Sequence, residues 1–208
     1  MPTEASLCHI IRGRRLLLKL ANGGISKGKW NGPGGKFERG ETPTQNVIRE
    51  VEEETSLVVV DPDYHGKIEF YMEGRGSLDY LVHVFVARRF SGRARPSEEG
   101  AVRWFDLDKI PYAKMWDDDR YWLPLLLNGA KFNARFFYDR RNSRVVSYEI
   151  SSGPLSDPQV GLRHSHRRGA PDAHSRSSGH ERCQLHRGLE HVGVAVRQGT
   201  AHQRQARP

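Results

Sequence analysis

Gly35-Lys-Phe-Glu-Arg-Gly-Glu41 is followed, after seven residues, by Arg49-Glu50-Val51-Glu52-Glu53-Glu54, so that a glycine turn leads into a run of carboxylates. Residues three and four apart share one face of a helix, and a helix here would therefore project Glu50, Glu53 and Glu54 together. Like charges on one face repel each other unless a cation lies between them. Because hard oxygen ligands favour Mg²⁺ or Mn²⁺, the segment predicts a divalent-metal site suited to pyrophosphate chemistry.

The start of this helix is also readable from the sequence. Thr42 is placed as the N-cap, Pro43 as the first helical residue, and Gln45 completes a capping box. Arg49 lies within the carboxylate run, where it can orient a neighbouring glutamate. The buried side of the helix would be formed by three aliphatic residues, Val47, Ile48 and Val51.

An ordinary alternative exists for this helix, because charge-rich helices are most often solvated faces. The glycine turn and Glu41 at their fixed offsets favour the metal site instead. The segment as a whole resembles the Nudix box, Gly-x5-Glu-x7-Arg-Glu-apolar-x-Glu-Glu-x-Gly-apolar. The match comprises Gly35, Glu41, Arg49, Glu50, Val51, Glu53, Glu54 and Leu57. Ser56 stands where the box has its second glycine, and serine tolerates positive φ less well, so a strained helix exit is expected.

Beyond the box, the resemblance covers nearly all of residues 6–150 and narrows to the oxidised-purine nucleoside triphosphatases of animals. It is carried by four segments: Trp30-Asn-Gly-Pro-Gly-Gly-Lys36, Val82-His-Val-Phe85, Trp104-Phe-Asp-Leu-Asp-Lys-Ile-Pro111 and Met115-Trp-Asp-Asp-Asp-Arg-Tyr-Trp-Leu-Pro-Leu-Leu-Leu127. The resemblance implies hydrolysis of 8-oxo-dGTP, 2-hydroxy-dATP and related triphosphates to the monophosphate and pyrophosphate, which sanitises the nucleotide pool.

The resemblance also implies that Asn31, Trp116, Asp118 and Asp119 recognise the base. Trp116 would stack on the purine, although a tryptophan ahead of an apolar helix is as often a core residue. Asp118 and Asp119 have an ordinary alternative as N-cap residues. In an enclosed site one of them would keep a proton and donate to the base while the other accepts. Asn31 can donate or accept, or serve only as a turn residue beside Gly32.

Two further contacts are expected to be less specific. Phe70 would form an apolar wall of the base pocket, although a strand phenylalanine is more often ordinary core. Lys36 would touch phosphate, although a lysine beside a glycine turn is usually exposed. Two departures predict a changed pocket floor: Ile25 stands where the family often has an aromatic residue, and Asp117 where the subgroup often has proline.

The expected cofactor is Mg²⁺, with Mn²⁺ as the alternative. Its ligands would be Glu50, Glu53, Glu54, a backbone carbonyl of Gly34 or Gly35, and Glu99, the last implied by the resemblance from outside the box. Metal charge would stabilise the developing negative charge and lower the pKa of bound water. Glu53 is the preferred general base, with Glu50 and Arg49 completing the catalytic set, and attack would fall on the α- or β-phosphorus.

Three other interpretations stay open at this point. The same chemistry would also serve ADP-ribose, a dinucleoside polyphosphate or a modified cap nucleotide. Alternatively, the chain is a nucleotide-sensing or nucleic-acid-binding module, although a binder has no need of the full carboxylate set. A structural interaction protein is the third, and the sequence has no repeat or coiled-coil pattern to support it.

The composition changes sharply after about residue 150. Residues 151–208 contain nine arginines and seven of the ten histidines but no Phe, Tyr, Trp or Lys, so this tail is expected to be disordered. Residues 1–150 are expected to form the Nudix hydrolase domain. The tail carries +5 of the net charge of +8, and the mildly basic remainder suits a polyphosphate substrate without a stable nucleic-acid partner. His164 and His166 have no companions at zinc-site spacing.

Cys8 and Cys183 are too few for a disulfide framework, which indicates a reducing compartment. No apolar run approaches the roughly 20 residues of a membrane span, and the N-terminus lacks a basic region followed by an apolar core. A cytoplasmic monomer that acts away from membranes is therefore expected.

Alternating apolar residues predict a mixed sheet. The expected strands are residues 6–10 and 14–20 as a hairpin, then 57–60, 67–72, 80–87 and 101–106, and a closing hairpin of 132–138 with 144–150. A second helix is expected over residues 121–127, closed by Gly129. With a helix on either side of the sheet, the fold class is α/β, an α/β/α sandwich like the Nudix fold that the box implies.

Overall fold

Ten strands and two α-helices make up the part of the chain, residues 1–152, that the computed structural model describes. The strands are β1 Thr3–Arg12, β2 Arg15–Ala21, β3 Trp30–Asn31, β4 Leu57–Val59, β5 Asp63–Tyr71, β6 Tyr80–Ala87, β7 Phe90–Gly92, β8 Gly100–Asp106, β9 Phe132–Tyr138 and β10 Val145–Ser152. The helices are α1 Pro43–Thr55 and α2 Asp119–Leu127, with a 3-10 turn at Tyr112–Lys114. The predicted disordered tail lies outside the described residues, except that Ser151 and Ser152 complete β10.

The main sheet is mixed, as predicted. Its strands follow the order β10-β9-β5-β6-β1-β2-β3, and β8 also pairs with β2. β1 runs parallel to β6, and β5 runs parallel to β9, whereas the remaining pairs are antiparallel. A separate small sheet joins β4 to β7. Both predicted hairpins, β1 with β2 and β9 with β10, are present.

The two faces of the sheet carry separate cores because successive strand side chains point to opposite sides. Leu16 and Leu18 of β2 pack in a buried cluster that includes Trp122 of α2. Leu17 packs in a second cluster that includes Val47 of α1. The helices therefore cover opposite faces, and the predicted α/β/α sandwich is confirmed.

α1 begins as the sequence predicts. The Thr42 side chain accepts a hydrogen bond from the Gln45 backbone N–H at 3.3 Å, and the Gln45 side chain accepts from the Thr42 N–H at 3.0 Å. Pro43 occupies the first helical position. The apolar face packs on the sheet through Val47, Ile48 and Val51. This packing fixes the rotation of α1 and thereby the directions in which its glutamates project.

Several elements differ from the sequence-based expectation. β5 begins at Asp63, four residues earlier than predicted, because a register shift between Tyr64 and Gly66 interrupts the alternation there. α2 begins at Asp119, two residues earlier than predicted. β3, β7 and the 3-10 turn were not predicted, since two or three residues are too few to show a period. None of the helices in residues 1–152 is long and apolar enough to cross a membrane.

Ser56 ends α1 in the left-handed conformation, with φ 58° and ψ 23°. Its N–H donates to the Glu52 carbonyl at 2.8 Å, so the cap hydrogen bond depends on this backbone conformation and not on the exposed side chain. We therefore expect Ser56→Gly to raise the free energy of unfolding by about 0.5–1 kcal/mol, because glycine adopts positive φ without a steric penalty. Urea denaturation measures the change.

A matched control replaces Ser147, which is exposed in the extended strand β10. Ser147→Gly is expected to lower stability by about 0.5–1 kcal/mol, since glycine weakens strand interiors. A similar loss in Ser56→Gly would contradict the interpretation of Ser56 as a strained cap.

His9 of β1 is fully buried on the α2 side of the sheet. Its ring meets the Trp122 ring edge-on, with centroids 5.2 Å apart. Neither ring nitrogen has a hydrogen-bond partner among residues 1–152. Burial, together with a smaller contribution from the charge of His65, lowers the pKa of His9 from 6.5 to about 3. His9 is therefore neutral in the folded protein at neutral pH.

Replacing His9 with leucine is expected to make folding less sensitive to acid. Below its ordinary pKa of 6.5, His9 in the unfolded chain binds a proton that the folded chain does not, so stability falls as the pH falls toward the folded-state value of about 3. Between about pH 7 and about pH 5 this amounts to about 2 kcal/mol, which His9→Leu should retain. Urea denaturation at the two pH values measures the difference.

Part of the acid sensitivity will persist in this variant, because burial also lowers the pKa of His83, to about 4. Ile11→Val, on the same strand and in the same core, is the control and should lose about 0.5–1.5 kcal/mol at both pH values. An equal pH-dependent loss in the wild-type protein and in His9→Leu would rule out His9 as the source.

Candidate active site

Two adjoining depressions lie between the sheet and the helices. We call the first the inner cavity; it is lined by Asn31, Phe70, Trp116, Asp118, Asp119 and Tyr138, among others. We call the second the polar cleft; it is lined by Lys19, Lys36, Arg49, Glu50, Glu54 and Glu99, among others. Gly34, Gly35 and Tyr80 border both depressions. A ligand could therefore extend from one into the other.

The turn at Gly34 and Gly35 brings the backbone against β1 and α1. A Cβ at Gly34, where φ is +151°, would lie 2.2 Å from the Ser6 carbonyl oxygen. A Cβ at Gly35 would lie 2.5 Å from the Glu50 carboxylate. The Gly34 N–H donates to Glu54 Oε2 at 2.9 Å. Both glycines predicted to offer backbone oxygens are thus beside predicted carboxylate ligands.

The three predicted carboxylates of α1 do not all face the same way. Glu50 and Glu54 line the polar cleft, and Glu54 is almost completely buried. The Glu53 side chain is 57% exposed, and it pairs with Arg49 at 3.0 Å on the solvent side. Consecutive helix residues are separated by about 100° around the axis, so Glu53 and Glu54 cannot point in the same direction. The structure therefore brings two of the three together.

Arg49 connects the carboxylates at the rim of the polar cleft. Its guanidinium lies 2.7 Å from Glu41 Oε1, 3.0 Å from Glu50 Oε1 and 3.0 Å from Glu53 Oε2. The hydrogen bond from Arg49 lowers the pKa of Glu41 to about 2. Glu41 therefore stays ionised and anchors the arginine, which in turn fixes the orientation of Glu50.

Lys19, which belongs to no motif recognised in the sequence, lies within the polar cleft. Its ammonium group is ion-paired with Glu54 Oε1 and lies 3.4 Å from Glu99 Oε2. Burial raises the pKa of Glu54, the charge of Lys19 opposes this rise, and the interaction with Glu54 lowers the pKa of Glu99. One signal for Lys19 was visible in the sequence, since it is the one charged residue in the apolar run 16–20.

The donor set of the polar cleft fits a divalent cation. Within residues 1–152 no three Asp, Glu, His or Cys side chains converge into a complete ligand set. Glu54 and Glu99 nevertheless already hold a cation between them, the Lys19 ammonium, and Glu50 lines the same cleft. Carboxylate and carbonyl oxygens of this kind are the ligands that Mg²⁺ and Mn²⁺ prefer.

The inner cavity brings together five of the six residues predicted from the sequence to bind substrate. Asn31, Phe70, Trp116, Asp118 and Asp119 all line it. The sixth, Lys36, is exposed and lines the polar cleft instead. Most of the remaining lining is apolar, which suits a flat aromatic ligand.

Trp116 is held at the cavity wall by three contacts. Its indole N–H donates to Ser26 Oγ at 3.0 Å, and the Lys29 ammonium lies 4.7 Å from the ring centroid. The Tyr138 ring meets it edge-on at 5.8 Å. Because Trp116 is only partly buried and borders the cavity, it is not merely a core residue.

Asp118 and Asp119 are both buried, and each has different partners. Asp118 accepts hydrogen bonds from the Trp122 indole N–H at 2.7 Å and from the Tyr138 hydroxyl. Asp119 accepts from the Trp116 backbone N–H at 2.9 Å. Asp118 is the N-cap residue of α2 by position, but its side chain makes no capping hydrogen bond. The ordinary N-cap explanation therefore does not account for it.

The surroundings of Asp118 and Asp119 favour a state in which the two carboxyl groups share one proton. Burial raises the pKa of Asp118, and burial together with the charge of Asp118 raises the pKa of Asp119 well above its ordinary value. Because Trp122 and Tyr138 both donate to Asp118, the negative charge is stabilised there and the proton resides on Asp119. The cavity thus offers an acceptor beside a donor.

Asp117 and Ile25, the two residues that depart from the family pattern, occupy different positions relative to the inner cavity. Asp117 points elsewhere, since it accepts from the Val145 N–H at 2.9 Å and pairs with Arg120 at 2.8 Å. It therefore holds β10 in place and does not line the inner cavity. Ile25 lines both depressions and is 62% exposed, so it lies at their common entrance.

A family model for the NUDIX domain matches residues 1–126. The chain therefore belongs to the Nudix family, whose members generally use divalent metal ions. The predicted family membership is confirmed.

Two curated relatives and one solved structure are similar to this chain. It is 38% identical over 145 residues to the oxidized purine nucleoside triphosphate hydrolase of Mus musculus, covering 70% of this chain and 92% of the relative. It is 40% identical over 131 residues to the same hydrolase of Danio rerio, covering 63% and 83%. The crystal structure of the mutator MutT protein from Bacillus halodurans has a TM-score of 0.63 at 24% identity, covering 71% of this chain and 97% of that one, which shows the shared fold.

Proposed function

We propose that the protein is a Mg²⁺-dependent pyrophosphohydrolase that converts oxidised purine nucleoside triphosphates, 8-oxo-dGTP and 2-hydroxy-dATP, to the monophosphate and pyrophosphate. The observation that carries this proposal is the buried pair of Asp118 and Asp119 in a cavity that adjoins a carboxylate cleft. The curated relatives named above bear the corresponding activity in their names. That the enzyme is a monomer, is cytoplasmic and has no stable nucleic-acid partner stays a prediction.

The inner cavity supplies groups that suit an oxidised purine. Protonated Asp119 can donate to a purine oxygen while Asp118 accepts from a ring N–H, and moving the proton would accommodate the other purine. The carboxamide oxygen of Asn31 accepts from the Gly32 N–H at 2.9 Å, which leaves its NH₂ group as a donor. Trp116 would stack on the base, an interaction of about 1–3 kcal/mol in stacking systems, and Phe70 lies across the apolar wall.

The polar cleft supplies groups that suit the triphosphate. Glu50, Glu54, Glu99 and a carbonyl of Gly34 or Gly35 would hold the Mg²⁺, or Mn²⁺ in its place. When bound, the metal supplies positive charge for the developing oxyanion and acidifies the attacking water. Exposed Lys36 would contact phosphate.

The geometry of the same cleft supports Glu54 as the base. Arg49 contacts Glu50 at 3.0 Å, and Glu54, which is buried and lines the cleft, would orient the water and take its proton. Glu53, the base preferred from the sequence, contacts the cleft only through Arg49, so we assign it a supporting role.

A hydrolysis panel with the full chain tests the assignment. We expect 8-oxo-dGTP and 2-hydroxy-dATP to be hydrolysed faster than dGTP and ADP-ribose, with monophosphate and pyrophosphate as products and no reaction in EDTA. Chromatography of the products measures this directly. Faster hydrolysis of ADP-ribose, or tight polynucleotide binding without any hydrolysis, would replace the proposal with one of the other functions.

A further inference from the structure

Among residues 1–152, Lys19 is the one basic residue lining the polar cleft for which the proposed function has no role. It belongs to β2, and the alternation of that strand places it on the α1 side of the sheet between Leu18 and Leu20. Its side chain is only 10% exposed. Withdrawing an ammonium group from water is costly unless it is paired, so its partners must account for its burial.

Those partners are two of the proposed metal ligands. Glu54 comes from α1 and Glu99 from the segment just before β8, and the Lys19 ammonium lies between them. The lysine therefore holds together two carboxylates from distant parts of the sequence, which would otherwise repel each other.

A metal ion and this ammonium group need the same oxygens. Mg²⁺ binds its oxygen ligands at about 2.0–2.1 Å, closer than a nitrogen donor approaches a carboxylate. An ion bound by Glu54 and Glu99 would lie next to the Lys19 nitrogen at its present position. Two cations so close repel each other strongly in a poorly hydrated cleft, so they cannot share the two carboxylates unchanged.

We propose that Lys19 is a tethered cation that competes with the divalent metal for Glu54 and Glu99. Without metal, the lysine keeps the two carboxylates assembled. When the metal binds, the ammonium group must leave them, and the triphosphate in the same cleft offers it new partners. Free metal is therefore bound more weakly than the carboxylates alone would allow. This inference depends on the metal site of the proposed function.

Isothermal titration of the full chain with Mn²⁺, without nucleotide, tests the competition. We expect Lys19→Met to bind Mn²⁺ at least about tenfold more tightly than the wild-type protein, because a buried competing charge is removed. Lys131→Met is the matched control, since Lys131 pairs with Asp63 at 2.8 Å outside the cleft, and it should leave the Mn²⁺ affinity unchanged. Far-UV circular dichroism checks that each variant is folded.

Results that contradict the competition can be distinguished from results that contradict the metal site. Unchanged or weaker Mn²⁺ binding by folded Lys19→Met would overturn the competition while leaving the hydrolase assignment intact. If Lys19→Met does not fold, Lys19→Gln, which keeps a hydrogen-bond donor without the charge, is expected to show the same tighter binding and can fail in the same way. If neither the wild-type protein nor a folded Lys19 variant binds Mn²⁺, the metal site itself is wrong, and this inference falls with it.

Discussion

Replacing Glu54 with glutamine is expected to reduce kcat/KM for 8-oxo-dGTP by about 10²–10⁴-fold in the presence of Mg²⁺. Glu54 is 1% exposed and accepts the Gly34 N–H at 2.9 Å, so its carboxylate is fixed at the centre of the polar cleft. Glutamine keeps the size of the side chain and can still accept that hydrogen bond. It lacks the negative charge needed to hold a metal and to accept a proton. Steady-state hydrolysis measures the loss.

The controls come from the same helix. Glu53→Gln is expected to lower kcat/KM by less than about tenfold, because Glu53 is exposed and reaches the cleft only through Arg49. Glu52→Gln, also exposed, should have no effect. Thermal unfolding would establish that all three variants are folded. If Glu53→Gln loses as much activity as Glu54→Gln, Glu53 is the base, as the sequence predicts.

Local sequence signals predicted α1 and most strands because the interactions that define them are local. Thr42 and Gln45 lie three residues apart, so their capping box is visible before any tertiary structure is known. The alternation of Tyr80, Val82, Val84 and Val86 likewise places all four in the α2-side core, as the structure shows. With two helices and a mixed sheet established in this way, few architectures other than the sandwich were possible.

The direction of each carboxylate was less predictable than the helix that carries it. Helical spacing places Glu50, Glu53 and Glu54 on one broad side of α1, but that side spans more than one environment. Arg49 holds Glu53 toward the solvent, whereas Lys19 and Gly34 hold Glu54 in the cleft. Lys19 and Gly34 belong to other parts of the chain, so helical spacing alone could not separate Glu54 from Glu53.

The side chains that donate hydrogen bonds to Asp118 could likewise not be identified from the sequence. Tyr138 lies 20 residues from Asp118 and reaches it only because β9 packs beside the start of α2. Trp122 is close in sequence, but its apolar surroundings in α2 indicate a core residue and not a hydrogen-bond donor. A family resemblance could name Asp118 and Asp119, whereas only the fold shows which of them keeps the charge.

Removing Asp119 is expected to have the second large effect, because it takes from the cavity the donor that would recognise the purine oxygen. Asp119→Ala should reduce kcat/KM for 8-oxo-dGTP by about 10²-fold, the loss expected for a buried hydrogen bond to a charged or strongly polar group. We expect a smaller reduction for dGTP, the slower substrate under the proposed function. Steady-state kinetics with both substrates measure the difference.

The protonation of Asp119 makes the same site sensitive to alkali. Burial and the charge of Asp118 raise the pKa of Asp119, so the protonated donor is present below that raised pKa and is lost as the pH rises through it. kcat/KM should therefore fall on the alkaline side in the wild-type protein. Asp119→Asn, whose amide donates at every pH, should lack this fall, whereas Asp117→Asn should keep it because Asp117 binds Val145 and Arg120 outside the cavity. An alkaline fall that persists unchanged in Asp119→Asn would assign the titration to another group and leave Asp119 without its role as donor.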